Sequence, residues 1–153
     1  MLNLKNTDSL LEIGCGAGMI LGPLSERVNE AYGIDRSPSL IRKLKVLHPS
    51  IHAYVASGHD EIFEDGVFDK VLCFGVFHYF SDEDYATRVV ENMLRVCKQG
   101  GTVVIGEVPD SELRAESIRF FSMVDKSCDR SMHRYYERSF FDTIARNNVP
   151  LNL

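Results

Sequence analysis

Apolar residues run along this chain in short blocks of strand length that alternate with longer stretches spaced three and four apart. Leu10, Leu11 and Ile13 form the first block. A helix is predicted just after Gly18, where Met19, Ile20, Leu24 and Val28 share one face. The next block, residues 31–34, ends in Asp35. Ser37 and Pro38 mark a helix start, as cap and first turn, with Leu40, Ile41, Leu44 and Leu47 as its buried stripe. Residues 51–56 predict a third strand and residues 68–74 a fourth, joined by an acidic surface connection. Residues 81–84 read as a capping box for a helix whose Tyr85, Val89, Met93 and Val96 keep one face. Gln99, Gly100 and Gly101 end that helix, and residues 102–106 predict a fifth strand. Beyond Pro109 the pattern is helical through Leu113, Ile118, Phe121 and Val124. A second capping box at residues 139–142 opens a helix carrying Phe140, Phe141, Ile144 and Ala145. Strand and helix in alternation predict an α/β fold, a parallel sheet covered on both faces.

Composition narrows the class without naming a chemistry. A length of 153 residues fits a single domain over 1–153, and an apolar share of 44% can build its core. No run approaches the roughly 20 apolar residues of a membrane span, and the opening segment has no secretory pattern, so a cytoplasmic protein away from membranes is expected. Cys15, Cys73, Cys97 and Cys128 stand singly, which suits reduced thiols better than a disulfide framework or a zinc site. A net charge of -5 disfavours broad contact with nucleic-acid backbone.

The chemistry is concentrated in "LLEIGCGAG" and Asp35. Three glycines at alternate positions let the backbone turn sharply and approach a ligand with no side chain in the way. An acid at the tip of the following parallel strand can accept hydrogen bonds from ribose hydroxyls, so the pair describes a nucleoside site. A dinucleotide fingerprint needs Gly-x-Gly-x-x-Gly; here the last glycine comes one residue early and Met19 stands in its place.

With "LLEIGCGAG" followed by "YGID", the chain resembles the class I S-adenosylmethionine-dependent methyltransferases. "FEDGVFDKVLCFGVFHYF" is similar to that family's fourth-strand segment, and "MLRVCKQGGTVVIGE" to its following helix, Gly-Gly turn and fifth strand. The resemblance covers about the first two-thirds of the chain. It implies a doubly wound, Rossmann-like core, with S-adenosylmethionine as cofactor and a small-molecule acceptor. The family usually carries a sixth and a seventh strand, so a domain trimmed at its C-terminus is expected, with the fifth strand as an open edge through which two copies could pair.

By the same resemblance, Gly14, Cys15, Gly16 and Gly18 would lie against the methionine and sugar portions, with Asp35 on the ribose and Arg36 flanking the adenine. Glu12 could orient the turn, reach the amino end of the cofactor through water, or simply end a strand. Asp35 has the competing reading of a turn or helix-cap acid. Ser57, Gly58 and His59 are the expected adenine neighbours, where many relatives carry an Asp. The backbone from Phe74 should face the methionine end. His78 is the candidate general base, because imidazole titrates near neutral pH and the residue falls at the predicted mouth of the site; packing before the next helix is the alternative. Tyr79, Glu107 and Asp110 are further acceptor-side candidates, and Arg134, Tyr135, Tyr136 and Arg138 a lid or acceptor surface. His48 and His52 are no metal pair, since Pro49 interrupts any shared helix. The preferred acceptor is an oxygen, on a sugar or polysaccharide precursor. A nicotinamide oxidoreductase and a cofactor-binding fragment without turnover are the competing functions.

Overall fold

The computed structural model describes residues 2–124, 130 and 132–148. Five strands, β1 (Ser9–Ile13), β2 (Glu30–Asp35), β3 (His52–Val55), β4 (Phe68–Phe74) and β5 (Cys97–Gly106), lie in the order β3-β2-β1-β4-β5. Every pairing is parallel. The chain therefore builds outward in one direction from β1 and then in the other from β4. Side-chain alternation divides the core between the two faces. Leu10 and Leu72 pack with Leu21, Ile41 and Leu44 of the helices α1 (Leu21–Ser25) and α2 (Pro38–Leu47). Leu11, Ile13, Val71 and Cys73 face the other way, onto Ala86, Val89, Met93 and Val96 of α3 (Glu83–Val96) and Ile144 of α5 (Arg138–Asn148).

The element boundaries depart from the pattern wherever a local hydrogen bond or a glycine overrides periodicity. The first helix is only five residues long and starts at Leu21, so Met19 is 90% exposed instead of packed. In α2 the buried residues are Ile41 and Leu44, while Leu40 and Leu47 stay open. Ser37 caps α2 as expected, accepting from the Leu40 N–H. The cap of α3 is Asp82, which accepts from the Tyr85 N–H at 2.6 Å, while Ser81 merely donates to Asp82. Gln99, Gly100 and Gly101 belong to an irregularity inside β5, since Cys97 already pairs with Phe68 before the register shifts to Lys70 and Thr102. Ser139 lies inside α5, with its hydroxyl on Glu137, and is no cap. The helix α4 (Arg114–Val124) buries no residue.

Tyr136 is a core residue at 2% exposure; its hydroxyl donates to the Phe77 carbonyl at 3.0 Å. Arg134 donates to the Phe80 and Ser81 carbonyls and Arg138 pairs with Asp110, so these side chains tie the entry to α5 to the loops that follow β4 and β5. Cys15, Cys73 and Cys97 are free thiols. Cys128 lies outside the described residues. Among the described residues, β3 and β5 are the sheet edges, no helix is long and apolar enough to cross a membrane, and no group of three or more His, Cys, Asp or Glu could hold a metal ion.

Candidate active site

The strand order reverses between β1 and β4, and a crevice outside the carboxyl ends of those strands is where this kind of sheet takes its ligand. The loop leaving β1 is held there by backbone donors. The Gly14 and Cys15 N–H groups both donate to the Ile34 carbonyl, at 2.7 and 3.0 Å, and the Gly16 N–H donates to Asp35 Oδ2 at 3.0 Å. Asp35 Oδ1 accepts the Ser37 N–H at 2.8 Å. One carboxylate thus fastens the glycine loop to the start of α2. Gly14 has φ +77° and a Cβ there would meet Val76 at 2.5 Å, so the tip of β4 packs directly on its backbone. Gly16 also has positive φ, yet a Cβ there would meet nothing within 4 Å. Its open side faces the crevice.

Beneath the loop, the Cys15 thiol fills the space that Gly33 leaves empty, and burial pushes the thiol up to about 12. Cys15 therefore lines the groove as a packed, unreactive sulfur. Glu12 is 2% exposed, and its Oε2 has no hydrogen-bond partner. Burial raises its carboxyl to about 7; the Leu21 N–H opposes the rise and the charge of Asp35 adds to it. A buried carboxyl oxygen without a partner is costly unless a ligand completes it.

Two cavities flank the glycine loop and share Gly14, Gly16, Leu40, Phe74 and Gly75. The first, of 410 Å³, is lined by Asp35, Arg36, Ser37, Gly58, Phe74, Tyr79 and Tyr85, among others. The second, of 690 Å³, takes in Glu12, Cys15, Gly18, His48 and Glu107. A third of 270 Å³ lies beyond β5, between His78, Glu107, Asp110, Arg130 and Tyr135.

The geometry brings together Glu12, Gly14, Cys15, Gly16, Gly18, Asp35, Arg36, Gly58 and Phe74. Ser57 and His59 are not in that lining. The Ser57 N–H donates to Asp60 in a tight turn, and His59 stands edge-on against Tyr85, behind the cavity wall. His78 faces the third cavity, 4.5 Å from the His133 ring. Burial, then the charges of His133 and Arg130, lower its imidazole to about 4, well below the near-neutral titration expected of a histidine at the mouth of the site. Tyr79 lines the first cavity, and Asp110 caps a short turn through the Glu112 N–H.

Three contributors, Tyr85, Asn92 and Arg95, are not among the expected site residues. Tyr85 has the spacing of a core position in α3 yet forms a cavity wall. Buried Asn92 donates to the Gly58 carbonyl at 2.8 Å, and Arg95 donates to the Phe63 carbonyl, so the face of α3 holds the loop after β3. A polar Asn92 beside Val89 and Met93 is the one sequence clue to this brace.

The methyltransferase domain model matches residues 11–105, from β1 to the end of β5. The chain is 34% identical to chondramide synthase of Chondromyces crocatus over 106 residues, 65% of this chain and 3% of that protein. Among solved structures, the YcgJ protein of Bacillus subtilis superposes with a TM-score of 0.77 at 20% identity, over 96% of this chain and 63% of that one. The sugar N-methyltransferase KedS8 of Streptoalloteichus superposes with a TM-score of 0.64 at 29% identity, over 70% and 43% of the two chains. The chain spans less than two thirds of the length of each of these relatives. A glycine loop clamped to an acid-tipped second strand, at the reversal point of a parallel sheet and within that match, puts this chain in the class I S-adenosylmethionine-dependent methyltransferase family.

Proposed function

We propose that this chain transfers a methyl group from S-adenosylmethionine to a small molecule in the cytoplasm, with a hydroxyl oxygen of a sugar-like biosynthetic intermediate as the preferred acceptor. The observation that carries the reading is the open face of Gly16 beside the Asp35 carboxylate, in a cavity large enough for a nucleoside. The residues fit the cofactor: backbone without side chains at the loop, a carboxylate with lone pairs left for ribose, and a buried Glu12 oxygen with no partner.

The adenosine portion belongs in the first cavity, with Asp35 on the ribose and Arg36 and Gly58 along the adenine; Ser57 and His59 act from behind that wall. The methionine end belongs in the second, over Gly14, Cys15, Gly16 and Gly18, with Phe74 between the two. When bound, the cofactor supplies a methyl group already activated on a sulfonium. What remains for the protein is to hold the acceptor in line and to exclude water. Glu12, once it faces a cationic amino group, ionises, and its Oε2 gains a partner. His78 stays neutral at physiological pH and so keeps a lone pair in the third cavity to take up the proton that the acceptor releases.

An amine acceptor is the second reading, favoured by the likeness to a sugar N-methyltransferase. Self-association through the β5 edge belongs to the same proposal, and static light scattering over a concentration series tests it: a mass fixed at one chain removes it. The acceptor reading is tested with methyl-labelled S-adenosylmethionine against matched hydroxyl sugars and aminosugars. Label on hydroxyl sugars supports the first reading, label on aminosugars alone the second, and label on neither overturns both.

A further inference from the structure

Glu107 is one of two non-glycine residues with positive φ among the described residues, at +54°; the other is Asn3, near the start of the chain. That conformation is disfavoured for a residue with a Cβ, and in enzymes it concentrates where a side chain has to be aimed. The aim is visible. Gly75 donates its N–H to the Gly106 carbonyl at 3.1 Å, joining the tips of β4 and β5, and the backbone turn at Glu107 swings its carboxylate back over Gly75. A Cβ at Gly75 would stand 2.8 Å from Glu107 Oε2, and one at Gly106 would strike the Phe74 ring at 2.4 Å. Gly75 thus leaves room for the Glu107 carboxylate and Gly106 for the Phe74 ring, so the carboxylate stands at the junction of the two strand tips.

Glu107 lines both the groove that holds Glu12 and the glycine loop and the pocket that holds His78. No other residue is common to those two linings. Its nearest chemical rivals are engaged or set back. Asp110 accepts the Glu112 N–H and pairs with Arg138, and His78 lines the outer pocket alone. Among the described residues no hydrogen bond or ion pair engages the Glu107 carboxylate.

We infer that Glu107 is the acceptor-side carboxylate of the methyl-transfer site, where it accepts a hydrogen bond from the O–H or N–H group that is to be methylated. The inference rests on the methyl-transfer reading and deepens it. An anionic carboxylate at this junction selects acceptors that present a hydrogen-bond donor, neutral or cationic, and repels those that present a carboxylate or phosphate at the reacting atom. It also points one lone pair of the acceptor toward the cofactor groove, by fixing the direction of the O–H or N–H bond.

The test needs no knowledge of the acceptor. Sinefungin carries a cationic amino group where S-adenosylmethionine carries its methyl, while S-adenosylhomocysteine carries nothing there. Both are titrated by calorimetry into the wild-type chain, Glu107→Gln and Glu107→Gly, the last being a residue that the positive φ accommodates. The wild type should prefer sinefungin, and both variants should lose about tenfold of that preference, the scale of one charge-assisted hydrogen bond, with S-adenosylhomocysteine affinity unchanged. An unchanged preference in the variants, or an equal loss for both ligands, overturns the inference. Failure of the wild type to bind either ligand overturns the methyl-transfer reading instead.

Discussion

The Asp35 carboxylate accepts the Gly16 N–H at 3.0 Å across 19 residues of chain, and this contact joins the tip of β2 to the middle of the glycine loop. The turn-cap reading of Asp35 is met by its other oxygen, which accepts the Ser37 N–H. One oxygen fastens the loop and the other caps the turn into α2, each keeping a lone pair, and the residue lines the first cavity.

Asp35→Ala removes the clamp as well as any ribose contact. Cofactor affinity should fall by about 1–3 kcal/mol, and the melting temperature should fall with it as two backbone donors lose their partner. Asp35→Asn keeps one oxygen as an acceptor and should lose less of both. Calorimetry and thermal melts on the two variants separate the effects; an Asp35→Ala chain with wild-type affinity would put the ribose elsewhere.

Glu12 should make stability fall with rising pH. Its carboxyl sits near 7 in the folded chain, against 4.5 for an unburied glutamic acid, so between those values the folded state holds a proton that the unfolded state has released. The contribution is therefore fully present below about 4.5 and gone above about 7. Glu12→Gln should flatten that slope and add about 1–3 kcal/mol of stability at pH 8. A cationic amino group on the cofactor should reverse the effect on binding, so that affinity rises from pH 6 to 8 in the wild type and stays level in the variant. Denaturant melts and titrations across that range check both.

The glycine loop, Asp35 and β4 were legible because they are local: alternate glycines, an acid after an apolar run, and an apolar run bounded by turns all leave marks in adjacent residues. Strand–helix alternation pointed to a parallel sheet covered on both faces, while the order β3-β2-β1-β4-β5 is set by contacts between strands distant in the chain. What escaped depends on contacts between distant segments. Asn92 acts on Gly58 across 34 residues, Tyr136 on Phe77 across 59, and neither pairing leaves a periodic trace. His78 was placed correctly after β4, but its lowered imidazole arises from burial and from His133 and Arg130, more than fifty residues on.

For His78 the consequence is a shifted acidic limb. An imidazole must be neutral to take a proton, and here it is neutral down to about 4, so turnover should be level from pH 6 to 8 as far as this group is concerned. His78→Ala should reduce turnover by about 100-fold, the low end for general-base assistance from so weak a base, and leave cofactor affinity alone. A steady-state pH profile of both forms decides it. An acidic limb near 6.5 that disappears with His78 would mean that the ring is far more open to water than its packing shows, and wild-type turnover in the variant would leave it a packing residue.

The most direct measurement is a pair of calorimetric titrations of the wild-type chain, one with S-adenosylmethionine and one with NAD. The Gly14–Gly16–Gly18 spacing, with exposed Met19 where a dinucleotide-binding loop needs its third glycine, predicts saturable one-site binding of S-adenosylmethionine and no heat from NAD. Saturable binding of NAD in preference to S-adenosylmethionine would contradict the account.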